Sequence, residues 1–269
     1  MRFLFLLLLW LTMDDSPAPG LNHFYVILDH DTFNAIEQSA FLKEQFAVFE
    51  KRTTVRTDRT YTGIYFYGKE TYFEMLDATT ADPNLGHGGM AFGDDAPGGK
   101  SPIEGGKPQL VTRQWNGVQV PWFFMTPQPL KPGEAQGFVT WFMQYHPGFL
   151  AKWHPEARPS PAETPPTSRA AVLERYKAVL PEAASQPLLG DVTGLTLAAK
   201  AESRARFEAW MKAIGTTFPV QLVDPGADSE GVRAAEFRLD RAPKKEETLH
   251  FGPHSTLTLH QRSALWRFE

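Results

Sequence analysis

Leu21-Asn22-His23-Phe24-Tyr25-Val26-Ile27-Leu28 is a short run of apolar, aromatic and β-branched residues closed by Asp29-His30-Asp31. Such a run reads as a buried strand. Asp29 or Asp31 is suited to cap a following helix. Phe33, Ile36 and Ala40 then keep helical spacing, and Phe46 and Phe49 resume it after a break at Ser39. Three further segments, Thr53 to Thr57, Tyr61 to Tyr67 and Thr71 to Leu76, are rich in Thr, Val, Tyr and Phe and alternate as strands do. Gly68-Lys69 supplies a tight turn between the last two. The first 78 residues thus end in one strand–helix–strand–strand–strand unit.

The same order returns near the C-terminus. Val192 to Ala198 reads as a strand, and Phe207, Trp210, Met211 and Ile214 share a helical face. Val220 to Val223, Ala234 to Leu239, Thr248 to Phe251 and Thr256 to His260 follow as strands. The middle of the chain reads as a degenerate copy. Gly89 to Gly93 is its first strand, and a Gly/Pro-rich loop replaces its helix. Val111 to Trp115 and Val118 to Phe124 form a hairpin about Asn116-Gly117, and Phe138 to Tyr145 is its last strand. Five prolines between Pro155 and Pro166 mark a linker, and Ser168 is placed to cap a short helix carrying Leu173, Tyr176 and Leu180. The expected fold is α+β, with repeated βαβββ modules forming curved, cup-like mixed sheets. The expected division is 1–20 as a leader, 21–150 as a module pair (21–78 and 86–150), 151–187 as linker and short helix, and 188–269 as a further module. Either the first and middle units pair, or the first and last do.

Composition narrows the partners. The 269 residues carry 27 Lys+Arg against 31 Asp+Glu, a formal charge of −4, and no Cys. A slight acidic excess argues against nucleic acid as a partner. Without cysteine there are no disulfides, zinc–thiolate sites or cysteine nucleophiles. The expected partner is a small molecule, bound by a monomer or homodimer. Arg2 followed by apolar Phe3 to Leu11 has the form of a secretory signal and is too short to span a bilayer. The expected location is secreted or periplasmic; a start at Met13 makes the protein cytoplasmic instead.

The repeated order, a His on a first strand and a Glu on a fourth resemble the vicinal oxygen chelate superfamily, which includes glyoxalase I, extradiol dioxygenases and bleomycin-resistance proteins. The residues that carry the resemblance are Leu21-Asn22-His23, Tyr72-Phe73-Glu74 and Met90 to Asp95. Leu21 to Tyr25, Arg52 to Thr57 and Tyr61 to Gly68 also resemble a bacterial family named only as a domain of unknown function. The resemblance runs from about 21 to 262. It implies a cup in which a divalent metal (iron, manganese, nickel or zinc) chelates both oxygens of a substrate, with ligands from the first and fourth strands of each unit. His23 and Glu74 fall on those positions, and Glu74 is the candidate proton-transfer residue. The C-terminal copy departs, with Gly194 and Thr258 at the matching places. In the middle copy, Gly89 replaces the His, and Gln144 and His146 lie near the carboxylate position. His23, Glu74 and His146 make a candidate two-His, one-carboxylate set. Arg56, Tyr65, Trp141 and Gln144 are candidate substrate contacts, and Trp141, Tyr145, Trp153 and His154 form a stripe suited either to line a ligand pocket or to pack a core. The alternative is that His23 is a hydrogen-bonded strand residue and that Glu74 pairs with Arg52, Arg56 or Arg59. Two functions remain open: metal-assisted isomerase, lyase or dioxygenase chemistry on a small oxygenated molecule, or metal-free binding of an aromatic or amphipathic compound.

Overall fold

The computed structural model describes residues 18–57, 59–81, 87–96, 98–130, 137–152, 167–178, 180, 186–226 and 229–269. The expected leader, Pro155 to Pro166, Trp153 and His154 lie outside them.

β1 (Gly20–Leu28) leads into α1 (His30–Gln38), whose N-cap is Asp29: its carboxylate accepts from the Thr32 amide at 2.9 Å. Ser39 ends the helix, as the sequence implies, and a single π-helical turn (Leu42–Phe46) follows. The next strand begins earlier than the spacing suggests. β2 spans Val48–Val55, so Phe49 is a strand residue and not a helical one. Ala47 is already extended, and Phe49 packs edge-on against Phe66 of the neighbouring strand. β3 (Thr60–Tyr67) and β4 (Tyr72–Asp77) complete the unit, and β5 (Gly88–Gly93), β6 (Gln109–Trp115), β7 (Val118–Pro127) and β8 (Val139–Tyr145) follow.

These eight strands form one sheet in the order β2-β3-β4-β1-β5-β8-β7-β6. Its two halves are built alike. β1 runs parallel to β4 and β5 parallel to β8, and β1 and β5 meet antiparallel at the centre. The sheet is strongly curled into a half-barrel. Its curl brings the two outermost strands together, and Arg56, just past β2, makes an isolated bridge to Arg113 on β6.

Strand alternation divides the side chains between the two faces. Phe24, Val26, Ile64, Phe66, Phe73, Met75, Met90 and Phe92 point outward into a core shared with a second sheet. Tyr25, Tyr65, Tyr67, Tyr72, Trp141, Met143 and Tyr145 point inward. Two short helices close the concave side. Phe149 of α2 (Pro147–Lys152) and Val172, Leu173 and Tyr176 of α3 (Arg169–Ala178) pack among those inward residues. Ser168 caps α3 as expected, its hydroxyl accepting from the Ala171 amide at 3.2 Å.

The second sheet has six strands: β9 (Leu189–Ala198), β10 (Val220–Val223), β11 (Gly231–Leu239), β12 (Glu247–His250), β13 (Ser255–His260) and β14 (Ser263–Phe268), ordered β10-β9-β11-β14-β13-β12. It does not repeat the first unit. After α4 (Ala201–Ile214) the chain returns directly beside β9 as parallel β10, whereas β2 lies at the far edge of its sheet. β14, absent from the sequence reading, sits in the middle of this sheet. The turn before it carries no glycine; Gln261 takes the left-handed conformation at φ 47°. Trp266 of β14 is fully buried against Phe66 and Phe73 of the first sheet and Phe46 of the π-helical turn, and joins the two layers.

Candidate functional site

The site grows from two rows of residues in register across the half-barrel. One row runs Tyr67, Tyr72, His23, Ala91, Trp141, and the next runs Tyr65, Glu74, Tyr25, Gly89. The small residues are required by their neighbours. A Cβ on Gly89 would stand 2.6 Å from the Tyr25 ring and 2.7 Å from the Val139 carbonyl oxygen. A β-bulge at Leu21 to His23 shifts the register, so that Asn22 and His23 lie opposite the single residue Ala91. Asn22 is thereby available to both His23 and the Tyr145 hydroxyl.

His23 and Glu74 are 5% and 6% exposed. The imidazole stacks on Tyr72, with ring centres 4.4 Å apart, and meets the edge of Trp141 at 5.2 Å. Its Nδ1 lies 2.9 Å from the Asn22 amide oxygen. That oxygen only accepts, so Nδ1 carries the proton and Nε2 presents a lone pair. Nε2 is 3.8 Å from Glu74 Oε1, beyond hydrogen-bonding reach. The Tyr65 and Tyr72 hydroxyls donate to the Glu74 carboxyl.

Burial governs both charges. It pushes Glu74 up to about 7, against the pull of the Arg52 guanidinium and the Tyr65 hydroxyl. Burial, together with Arg56 and Arg52, pushes His23 down to about 3. Below neutrality the pair therefore holds one proton, and it sits on Glu74. Arg52 stacks on the Tyr65 ring at 3.8 Å and binds Glu50 and the Tyr67 hydroxyl, each at 2.9 Å.

These residues enclose a cavity of about 50 Å³, lined among others by His23, Glu74, Arg56, Trp122 and Trp141. Tyr25, Arg56 and Trp141 also line a vestibule of about 400 Å³ beside it, with Arg59, Met125 and Leu130 on the vestibule's other walls.

Of the residues singled out from sequence, His23, Glu74, Arg56, Tyr65 and Trp141 come together here. Gln144 and His146 do not join them. Trp141, Met143 and Tyr145 alternate inward along β8, which leaves Gln144 on the opposite face. There its amide accepts from the Gly99 and Lys100 backbone and donates to Asp94. His146 follows β8 at its end, takes the Gly148 amide on Nδ1 and packs on Phe124. The proposed third ligand is thus displaced by strand parity. Tyr25, Tyr61, Tyr72 and Trp122 were not singled out, although Tyr25 and Tyr72 stand two residues from His23 and Glu74 and so share their face.

A divalent metal fits this donor set poorly. Among the described residues no three His, Asp or Glu side chains converge. The two that do converge are a carboxyl held near 7 and an imidazole, with two guanidiniums acting on both. Resident catalytic metals need about three protein ligands.

The chain matches the family described as "Family of unknown function (DUF5829)" over residues 21–268. It belongs to the DUF5829 family. No curated protein matches it. Among solved structures it is similar to a hypothetical protein from Staphylococcus aureus, at 10% identity and a TM-score of 0.42, over 90% of this chain and 82% of that one.

Proposed function

We propose that this DUF5829 protein binds a small, oxygen-bearing aromatic molecule in the half-barrel, in the manner of a glyoxalase-like module pair that works without a metal. The observation that carries this reading is a pair of neighbouring chambers that have Tyr25, Arg56 and Trp141 as common walls. A vestibule of about 400 Å³ is the size of a small ligand body, and it shares walls with an inner chamber of about 50 Å³ that holds the polar groups. The like-built halves of the curled sheet support the glyoxalase-like comparison. The body of the ligand stacks among Tyr25, Trp141 and Met125, and its oxygen reaches Glu74 and His23.

A second reading rests on the proton held by Glu74. A carboxyl near 7 suits general acid–base work, and the neutral His23 beside it is a ready acceptor. In that reading Glu74 passes a proton to the bound molecule, while Tyr65 and Tyr72 hold its carboxyl in place.

The test is a panel of phenols, aromatic ketones and aromatic acids, read by melting temperature and tryptophan emission in the presence of EDTA. Binding is expected to be saturable and insensitive to the chelator. Met125→Trp, at a half-buried vestibule position, should abolish it with little change in the unliganded melting temperature. No saturable ligand in the panel sinks the reading. Binding that needs added iron(II), manganese, nickel or zinc returns the site to metal chemistry. Should a ligand be turned over, Glu74→Gln separates the two readings: binding persists and turnover stops only if Glu74 moves the proton.

A further inference from the structure

The inner chamber has an excess of hydrogen-bond donors. The indole Nε1–H groups of Trp122 and Trp141 belong to side chains 5% and 8% exposed, both rings line the chamber, and neither N–H has an acceptor. Buried donors without acceptors are uncommon and costly. Behind Trp122 stands Arg113, 6% exposed, its guanidinium 4.8 Å from the Trp122 ring centre. It touches the Tyr176 hydroxyl at 3.3 Å, and its Nε has no partner. Among the described residues, no carboxylate stands within 4 Å of it. Arg56 lines both chambers.

An aromatic chamber can take either of two charged heads. Rings alone favour a cation. Here the guanidiniums of Arg56 and Arg113 oppose one, and indole N–H groups have nothing to offer it. We propose that the head group taken by the inner chamber is a carboxylate, held by the Trp122 and Trp141 indole N–H groups in the field of Arg56 and Arg113, so that the ligand class is the aromatic carboxylic acids. This rests on the binding function argued above and names its ligand. The chamber has room for a few water-sized groups, which suits a carboxylate and excludes a ring. The ring then stays in the vestibule. Glu74, protonated below neutrality, adds a donor and no repulsion.

The experiment compares three probes of one shape, phenylacetate, phenylacetamide and 2-phenylethylamine, by calorimetric titration on the full chain. Phenylacetate should bind about tenfold or more tighter than the amide, and the amine weakest. Trp122→Phe and Trp141→Phe keep a ring and remove the N–H. Each should shrink the acid-to-amide ratio several-fold, because the charged acceptor loses more than the neutral one when the N–H is removed. Circular dichroism and the melting temperature check that each variant is folded. Equal binding of acid and amide, or preference for the amine, overturns the carboxylate while the binding function stands. A preference for the acid that both Phe variants keep places the anion elsewhere and overturns this site. If none of the three binds, the carboxylate proposal falls, and the wider panel decides the binding function separately.

Discussion

His23 and Glu74 respond to pH in opposite directions, and the structure gives the sign of each. Glu74 is raised from 4.5 to about 7, so its contribution is fully present below 4.5 and is lost as pH rises through 7. His23 is lowered from 6.5 to about 3, so its contribution is fully present above 6.5 and is lost as pH falls through 3. Between 4.5 and 6.5 the two slopes cancel. The expected outcome in urea titrations is a flat contribution from this pair across that window in the wild type. Glu74→Gln exposes the imidazole alone, and stability should then rise with pH by at most about 1.4 kcal/mol per unit. His23→Gln leaves the carboxyl alone, and stability should fall with pH at a similar rate. Parallel slopes in the two variants would show that the proton is not held as argued. Both residues were legible in the sequence, because a charged or titratable residue inside an apolar strand stands out. Trp122, Tyr25 and Tyr72 were not, because aromatic residues in strands look the same whether they fill a core or line a chamber.

At the scale of elements, the β3–β4 turn shows how the second sheet braces the first. Gly68 to Thr71 rests against β9, where the Asp191 carboxylate accepts from the Glu70 and Thr71 amides and from the Thr71 hydroxyl. A Cβ on Gly68 would lie 2.8 Å from the Thr71 carbonyl oxygen and 2.9 Å from Asp191 Oδ1. The turn was readable from Gly68-Lys69, but its docking was not, since nothing local announces a partner about 120 residues away. Asp191→Ala leaves two backbone amides of the turn without their acceptor, and it should cost about 1–3 kcal/mol. The loss is expected in chemical denaturation, together with faster amide exchange at Glu70 and Thr71. Unchanged exchange at both would mean that the turn holds its shape alone. The strand order of the C-terminal region departs from the repeated pattern for a related reason. A strand–helix–strand pattern does not say whether the chain returns beside its first strand, as β10 does, or at the far edge, as β2 does. β14 alternates Ala264, Trp266 and Phe268 in plain view, yet a template ending at the fourth strand left it out.

At the scale of the molecule, the half-barrel keeps its shape because its convex face is covered. Phe24, Phe66, Phe73 and Met75 bury their side chains in a core completed by Leu195, Phe237, Leu257 and Trp266 of the second sheet. The two sheets share that core, while the concave face of the first sheet has a second buried cluster with α2 and α3. Trp266 touches Phe46, Phe66, Phe73, Phe237, Phe251 and Phe268, four elements beyond its own strand among them. Trp266→Ala removes the largest fully buried side chain among the described residues and should cost about 3–5 kcal/mol. The loss should appear as one cooperative transition moved to lower denaturant, seen alike by far-ultraviolet dichroism and by the fluorescence of the remaining tryptophans, Trp122 and Trp141 on the other side of the first sheet among them. Two separated transitions would show that the half-barrel stands without its cover. A single shared transition ties the chamber to the far layer, because the curl that brings Arg56 against Arg113 is then maintained by packing on the opposite face of the same sheet.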